Sequence, residues 1–121
     1  MDVPVLFIIF NKPDTTEQVF QAIARAKPRQ LFIAADGPRT GWLGEAERCA
    51  LTRAIVQKID WPCEVKQRFS EVNLGCGKHP ASAITWTFEH VDRAIILEDD
   101  CVPHETFFRY CGELLEKFSN N

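Results

Sequence analysis

Four short segments of the chain carry the hydrophobic pattern of β-strands. Three of them are apolar at nearly every position, as strands buried on both faces of a parallel sheet are: residues 3–10, 31–35 and 94–97. In the fourth, residues 63–69, apolar side chains alternate with charged ones. This alternation predicts a half-exposed strand near an edge of the sheet.

Helical periodicity fills the intervals between these strands. The first predicted helix has Asp14 as its N-cap and Glu17 as the capping-box partner, and it stops at Pro28. The next three cover about residues 45–60, 78–90 and 105–118. Two of them show an apolar stripe, formed by Leu51, Ile55 and Ile59 in one and by Ala81, Ile84, Trp86 and Phe88 in the other. The order βαβαβαβα predicts a Rossmann-like α/β/α fold in three layers, with a mainly parallel sheet.

Composition narrows the class of protein. A chain of 121 residues, 45% of them hydrophobic, is the size of one domain, residues 1–121. The net charge of −3 argues against nucleic acid and anionic membranes as partners. The longest apolar run, residues 3–10, is far shorter than the roughly 20 residues that span a bilayer. It does not look like a signal peptide either, because Met1-Asp2 supplies no basic region and no small-residue cleavage site follows the run. Five scattered cysteines favour free thiols, so we expect a cytoplasmic protein without an integral membrane segment.

Polar residues follow each predicted strand, where ligands of parallel sheets bind. The sequence Glu98-Asp99-Asp100 ends the last strand with three adjacent carboxylates, whose mutual repulsion a cation relieves. Carboxylate oxygens together with substrate diphosphate oxygens are the ligands that Mg²⁺ and Mn²⁺ prefer. The cluster therefore predicts a nucleotide–metal site, and the alternative is a solvated loop whose acids cap the next helix.

The other strand ends allow more than one interpretation. Asp36-Gly37 fits either a turn or an acceptor for a base or ribose, and Asn11 fits either a helix start or a ligand contact. Residues 73–78 form a glycine-containing loop before a helix, a weak signal for phosphate, and they match no Walker A or dinucleotide motif. Trp42 either covers a base or packs over the sheet edge. A zinc ion held by Cys76, His79, Cys101 and His104 is a further alternative.

Four segments together resemble a known family: residues 4–13, 35–37, 73–75 and 98–100. They are similar to family 2-like GT-A glycosyltransferases, and the Glu-Asp-Asp is similar to the metal motif of eukaryotic N-acetylglucosaminyltransferases. The resemblance implies the strand order 3-2-1-4, with Asp100 as the ligand of Mn²⁺ or Mg²⁺. It also implies a donor-binding set in which Asp36 binds the base, Asn11 and Asn73 line the nucleoside pocket, Glu98 and Asp99 hold ribose and metal-bound water, and Phe10 and Gly75 complete the site.

The implied activity is transfer of a sugar from a nucleotide-diphospho-sugar, expected to be a UDP-sugar, to a hydroxyl of a carbohydrate or glycosylated acceptor, as in cell-surface polysaccharide synthesis. Family members usually continue for a comparable length, so we expect this chain to be the donor-binding half and the catalytic base to lie beyond Asn121. We also expect peripheral membrane association of the full-length protein and pairing through an exposed sheet edge. The alternatives are a non-catalytic nucleotide-binding or assembly module and a zinc-stabilised interaction domain.

Overall fold

The computed structural model describes residues 1–104 and 106–118, apart from the side chain of Phe118. It contains four strands and four helices in strict alternation: β1 (Val5–Ile9), α1 (Pro13–Ala26), β2 (Gln30–Ala35), α2 (Glu45–Ile55), β3 (Glu64–Phe69), α3 (Lys78–Phe88), β4 (Ile95–Glu98) and α4 (Phe107–Phe118). All three strand pairings are parallel, and the strands lie side by side in the order β3-β2-β1-β4. The predicted fold class and strand order are confirmed.

The sheet separates two hydrophobic clusters, which gives the molecule three layers. On one face Val5, Phe7 and Ile9 of β1 pack against residues of α1, α2 and α4. On the other face Leu6 and Ile8 pack with Phe32, Ala34 and Ala83, which belong to β2 and α3. The two central strands are buried on both faces, because helices cover both sides of them.

Several details of the helices differ from the predictions. Asp14 is not the N-cap of α1, which begins at Pro13 with Lys12 as its N-cap and no side-chain capping bond. Proline at the first position and Asp14 in the first turn suit a helix start without a capping side chain. Leu51 was expected on the apolar stripe of α2 but is 59% exposed. The buried side of α2 instead carries Glu45, Cys49, Thr52 and Ile55, which are spaced three or four residues apart. Ala81 and Phe88 are likewise exposed, since α3 packs through His79, Ala83 and Thr87.

Two helix boundaries also differ from the predicted ones. Helix α2 ends at Ile55 rather than near residue 60, and α4 begins at Phe107. Glu105, the expected first residue of α4, lies outside the described residues. In the described part of the chain, no helix has both the length and the apolar character needed to cross a bilayer.

Strand β4 is half-exposed, although its sequence predicts burial on both faces. Ile95 and Leu97 point into the core, whereas Ile96 is 38% exposed. The physical reason is position: β4 is an edge strand with only β1 beside it, and α3 covers the middle of the sheet instead. Strand β3, at the opposite edge, has the predicted half-exposed pattern.

Candidate functional site

A cavity of about 320 Å³ lies at the carboxyl ends of the strands. It sits where β1 meets β4, the point at which the strand order reverses, and parallel sheets bind ligands there. Seven of the eight residues expected to bind donor or metal line it: Phe10, Asp36, Asn73, Gly75, Glu98, Asp99 and Asp100. A second cavity, of about 410 Å³ between α1 and α4, is lined by Arg25, Arg109 and apolar groups. The residues expected to bind the donor and the metal therefore converge on the first cavity.

Asp99 joins the end of β4 to the end of β1. Its carboxylate oxygen Oδ2 accepts a hydrogen bond of 2.9 Å from the backbone N–H of Phe10. The side chain is almost wholly buried, and this burial raises the pKa of Asp99. Asp99 therefore fixes the wall of the cavity at the junction of the two strands.

Asp100 is the more accessible carboxylate at this edge. Its side chain is 45% exposed and forms an ion pair with Lys12, with 3.3 Å between Oδ2 and Nζ. The hydrogen bond from Lys12 is the main reason why the pKa of Asp100 is lowered. Glu98, the last residue of β4, is also exposed. The acidic cluster thus combines one buried carboxylate with two that face solvent.

No group of three or more His, Cys, Asp or Glu side chains could hold a metal ion within residues 1–104 and 106–118. The four residues considered for zinc do not assemble into a site. Cys76 and Cys101 are exposed, His79 contacts the carbonyl oxygen of Ile9, and His104 contacts the hydroxyl of Thr106. The structure therefore gives the zinc alternative no support.

Asp36 is buried and holds the loop that follows β3. Its oxygen Oδ1 accepts hydrogen bonds from the backbone N–H groups of Gly37 at 2.9 Å and Leu74 at 2.8 Å. Its other oxygen, Oδ2, accepts from the N–H of Gly75 and the side-chain amide of Asn73, both at 3.2 Å. An ionised carboxylate has about four acceptor positions, and these four donors use them. Asp36 therefore shapes one wall of the cavity by binding its own protein.

Asn73 and two glycines further constrain the same loop. Asn73 also donates to the carbonyl oxygen of Gly37 at 2.9 Å, so both N–H bonds of its amide are used. Gly37 lies so close to the backbone of residues 71–72 that a Cβ there would be 2.7 Å from Val72 atoms. Gly75 has a φ of 95°, which favours glycine. The loop therefore has one well-defined position against β2.

Asn11 does not line the cavity. Its side-chain amide donates a hydrogen bond of 2.9 Å to Glu45, a fully buried carboxylate that is also paired with Arg39. Arg39 does line the cavity, and sequence reasoning missed both members of this pair. The burial of Glu45 was hard to predict from the sequence, because a charged residue at a helix start normally indicates a solvated first turn. Trp42 is 56% exposed and lies against the Arg39 guanidinium.

His79 carries an unusual polar atom into the cavity wall. The residue is 5% exposed, and its Nε2 lies 3.2 Å from the carbonyl oxygen of Ile9. Since a carbonyl only accepts, Nε2 carries the proton, and in the neutral ring Nδ1 is then an acceptor. Nδ1 is buried and has no hydrogen-bond partner among the residues that the structure describes. An unpaired buried acceptor is unusual, and His79 also lines the cavity.

The burial of His79 predicts a pH dependence of stability. Burial lowers the pKa of this imidazole, so unfolding returns it towards its ordinary value of 6.5. The unfolded chain then binds more protons, and stability that is present above pH 6.5 is lost as the pH falls. Below that value we expect the free energy of unfolding to fall with decreasing pH, by at most about 1.4 kcal/mol per pH unit. Urea denaturation at several pH values measures the slope.

The matched variants for this measurement are His79→Gln and His90→Gln. His90 is exposed. Its ring Nδ1 lies 3.0 Å from the carbonyl oxygen of Trp86, and the ring packs against Phe32 and Trp86. We expect His79→Gln to flatten the slope and His90→Gln to keep it. A wild-type slope in His79→Gln would assign the pH dependence to other groups.

Comparison with known proteins adds no assignment: no family model matches the chain, and no curated protein matches it significantly.

Proposed function

We propose that this chain is the nucleotide-sugar-binding domain of a metal-dependent glycosyltransferase, which takes its sugar from a UDP-sugar in the cytoplasm. The acceptor in this proposal is a hydroxyl group of a carbohydrate or glycosylated molecule. The observation that carries the proposal is the cavity at the β1–β4 junction. Its carboxylates suit a metal ion that carries a diphosphate, and His79 offers an unpaired acceptor for the nucleoside.

The donor groups of the site fit a divalent ion that arrives with the diphosphate. Mg²⁺ and similar ions are commonly held by one or two carboxylates, water and substrate phosphates, so a cluster of three protein ligands is not required. Asp100 supplies an accessible carboxylate at the cavity, and it already attracts a cation in the form of the Lys12 ammonium group. In this proposal Asp100 holds the ion, and Lys12 then becomes available to phosphate oxygen.

The bound ion would offset the negative charge of the departing diphosphate as the glycosidic bond breaks. The chain's own residues bind and orient the donor. Asp99 keeps the β1–β4 junction fixed through Phe10, and Asp36 keeps the loop of Asn73 and Gly75 in position. His79 accepts a hydrogen bond at Nδ1 from an N–H or O–H of the nucleoside. We assign no residue of this chain to deprotonating the acceptor.

Calorimetric titration of UDP with and without Mn²⁺ tests the proposal. We expect the wild-type chain to bind UDP more tightly with Mn²⁺, because Asp100 would hold the ion and the ion would offset the charge of the diphosphate. Asp100→Asn, which keeps the side-chain size, should lose this metal-dependent gain, a change of about tenfold or more in Kd.

The matched control is Asp92→Asn. Asp92 is an exposed acid that precedes β4, at the opposite end of the sheet from the cavity. We expect this variant to bind UDP and Mn²⁺ as the wild type does. If the folded wild-type chain binds no UDP in the presence of Mn²⁺, or if both variants lose binding equally, the proposed function is wrong for this chain.

A further inference from the structure

Glu45 fixes the position of Arg39 at the cavity. The carboxylate has no exposed surface and accepts hydrogen bonds from the Arg39 backbone N–H at 2.7 Å, from the guanidinium Nε and Nη2, and from Asn11. Hydrogen bonding from Arg39 lowers the pKa of Glu45 to about 2, so the pair is charged at neutral pH. A buried carboxylate needs such partners, and the guanidinium is therefore held in one orientation.

Aromatic rings also fix the guanidinium. Its central carbon lies 3.3 Å from the ring centroid of Trp42 and 5.7 Å from that of Phe10. Cations over aromatic faces at these distances are attracted by the ring. Because Glu45 engages Nε and Nη2, the third nitrogen, Nη1, lies on the other side of the planar group. Arg39 remains 36% exposed and lines the cavity, so a donor is available there in a prearranged position.

The cavity has two ends of different chemistry. Asp100 stands at the end of β4, whereas Arg39 follows the end of β2, and β1 lies between these strands. Neighbouring strands are about 4.8 Å apart, so the two ends are separated by about 10 Å. A nucleotide whose diphosphate lies at Asp100 would place its base towards the other end. Arg39 is also the only cationic residue among the lining residues that the structure describes.

We propose that Arg39 determines which base the cavity accepts, by donating a hydrogen bond from Nη1 to a ring carbonyl oxygen. This inference rests on the proposed function and adds to it the residue that recognises the base. Uracil has two such oxygens and adenine has none, so the cavity selects uracil over adenine. A site that offers a buried or prearranged donor rejects a ligand without the matching acceptor, because the donor is then left unpaired.

The test compares UDP, ADP and inorganic pyrophosphate, each titrated with Mn²⁺ into the wild type and into Arg39→Lys. Lysine keeps a cation for Glu45 but has no second nitrogen on the far side of the ion pair. We expect Arg39→Lys to bind UDP about tenfold or more weakly, while ADP and pyrophosphate change little. The wild type should prefer UDP to ADP, and the variant should lose most of that preference.

The matched control is Arg29→Lys, an exposed arginine paired with Asp2 at the opposite end of the sheet. Retained pyrophosphate binding in Arg39→Lys shows that the variant is folded. Equal weakening of UDP and pyrophosphate would overturn the inference, because Arg39 would then contact phosphate. Unchanged UDP binding in Arg39→Lys would overturn it as well and leave the proposed function intact. If the wild type binds neither UDP nor pyrophosphate, both this inference and the proposed function are wrong.

Discussion

Replacing Asp36 by asparagine is expected to lower the free energy of unfolding by about 2–4 kcal/mol. The carboxylate accepts four hydrogen bonds from residues 37 and 73–75, and it is buried. Asparagine replaces one acceptor oxygen by an NH₂ group, which then faces N–H donors. Two donors lose their partner in a place where water cannot replace it. Urea denaturation, followed by the fluorescence of the buried Trp61, measures the change.

The same substitution at Asp60, an exposed residue between α2 and β3, is the control and should change stability little. We also expect Asp36→Asn to weaken UDP binding, because the loop that it releases forms a wall of the cavity. Loss of UDP binding at unchanged stability would contradict this account. It would favour the role that the family resemblance implies for Asp36, direct contact with the base.

Replacing Gly37 by alanine is expected to cost about 1–3 kcal/mol of stability. The added Cβ would be 2.7 Å from both the carbonyl carbon and the carbonyl oxygen of Val72, and 2.8 Å from the carbonyl carbon of Glu71. Both neighbours are backbone, so a side-chain rotation cannot relieve the contact. The loop must move away from β2, and the hydrogen bonds of Asp36 to Asn73, Leu74 and Gly75 must lengthen.

Gly112→Ala is the matched control for this prediction. Gly112 lies inside α4, and the nearest described atom that a Cβ there would meet outside the backbone of its own helix is Val3 Cγ2, at 4.0 Å. Alanine is the better helix former, so this variant should be as stable as the wild type or gain up to about 1 kcal/mol. Equal thermal midpoints for Gly37→Ala and the wild type would mean that the loop adapts without cost.

The fold was largely predictable because its helices and strands have clear periodicity. Apolar runs located the central strands, and the alternation of residues 63–69 indicated the exposed edge strand β3. The error at Ile96 has a different origin: a short apolar run does not tell whether a helix covers the second face of the strand. Leu51 was misplaced for a related reason, since the buried side of α2 carries Glu45 and Thr52, which are polar.

The cavity was predictable in outline because carboxyl ends of parallel strands meet at one edge of the sheet. This rule brought Asp36, Asn73 and the acidic cluster together without any knowledge of their contacts. It could not identify the Glu45–Arg39 pair, because a buried ion pair depends on tertiary contacts that leave no periodic pattern. For the same reason the rule could not predict the hydrogen bond from Asn11 to Glu45, which turns the asparagine amide away from the cavity.

The parallel arrangement also determines when the cavity comes into existence during synthesis. Strand β1 leaves the ribosome first, but Val5 pairs with Ile95, and the hydrogen bond between Phe10 and Asp99 joins residues 89 positions apart. Contacts between such distant residues form slowly, and until they form, the edge of β1 opposite β2 is unpaired and prone to aggregation. The edge of β1 that pairs with β4 must therefore avoid non-native contacts until β4 has been translated.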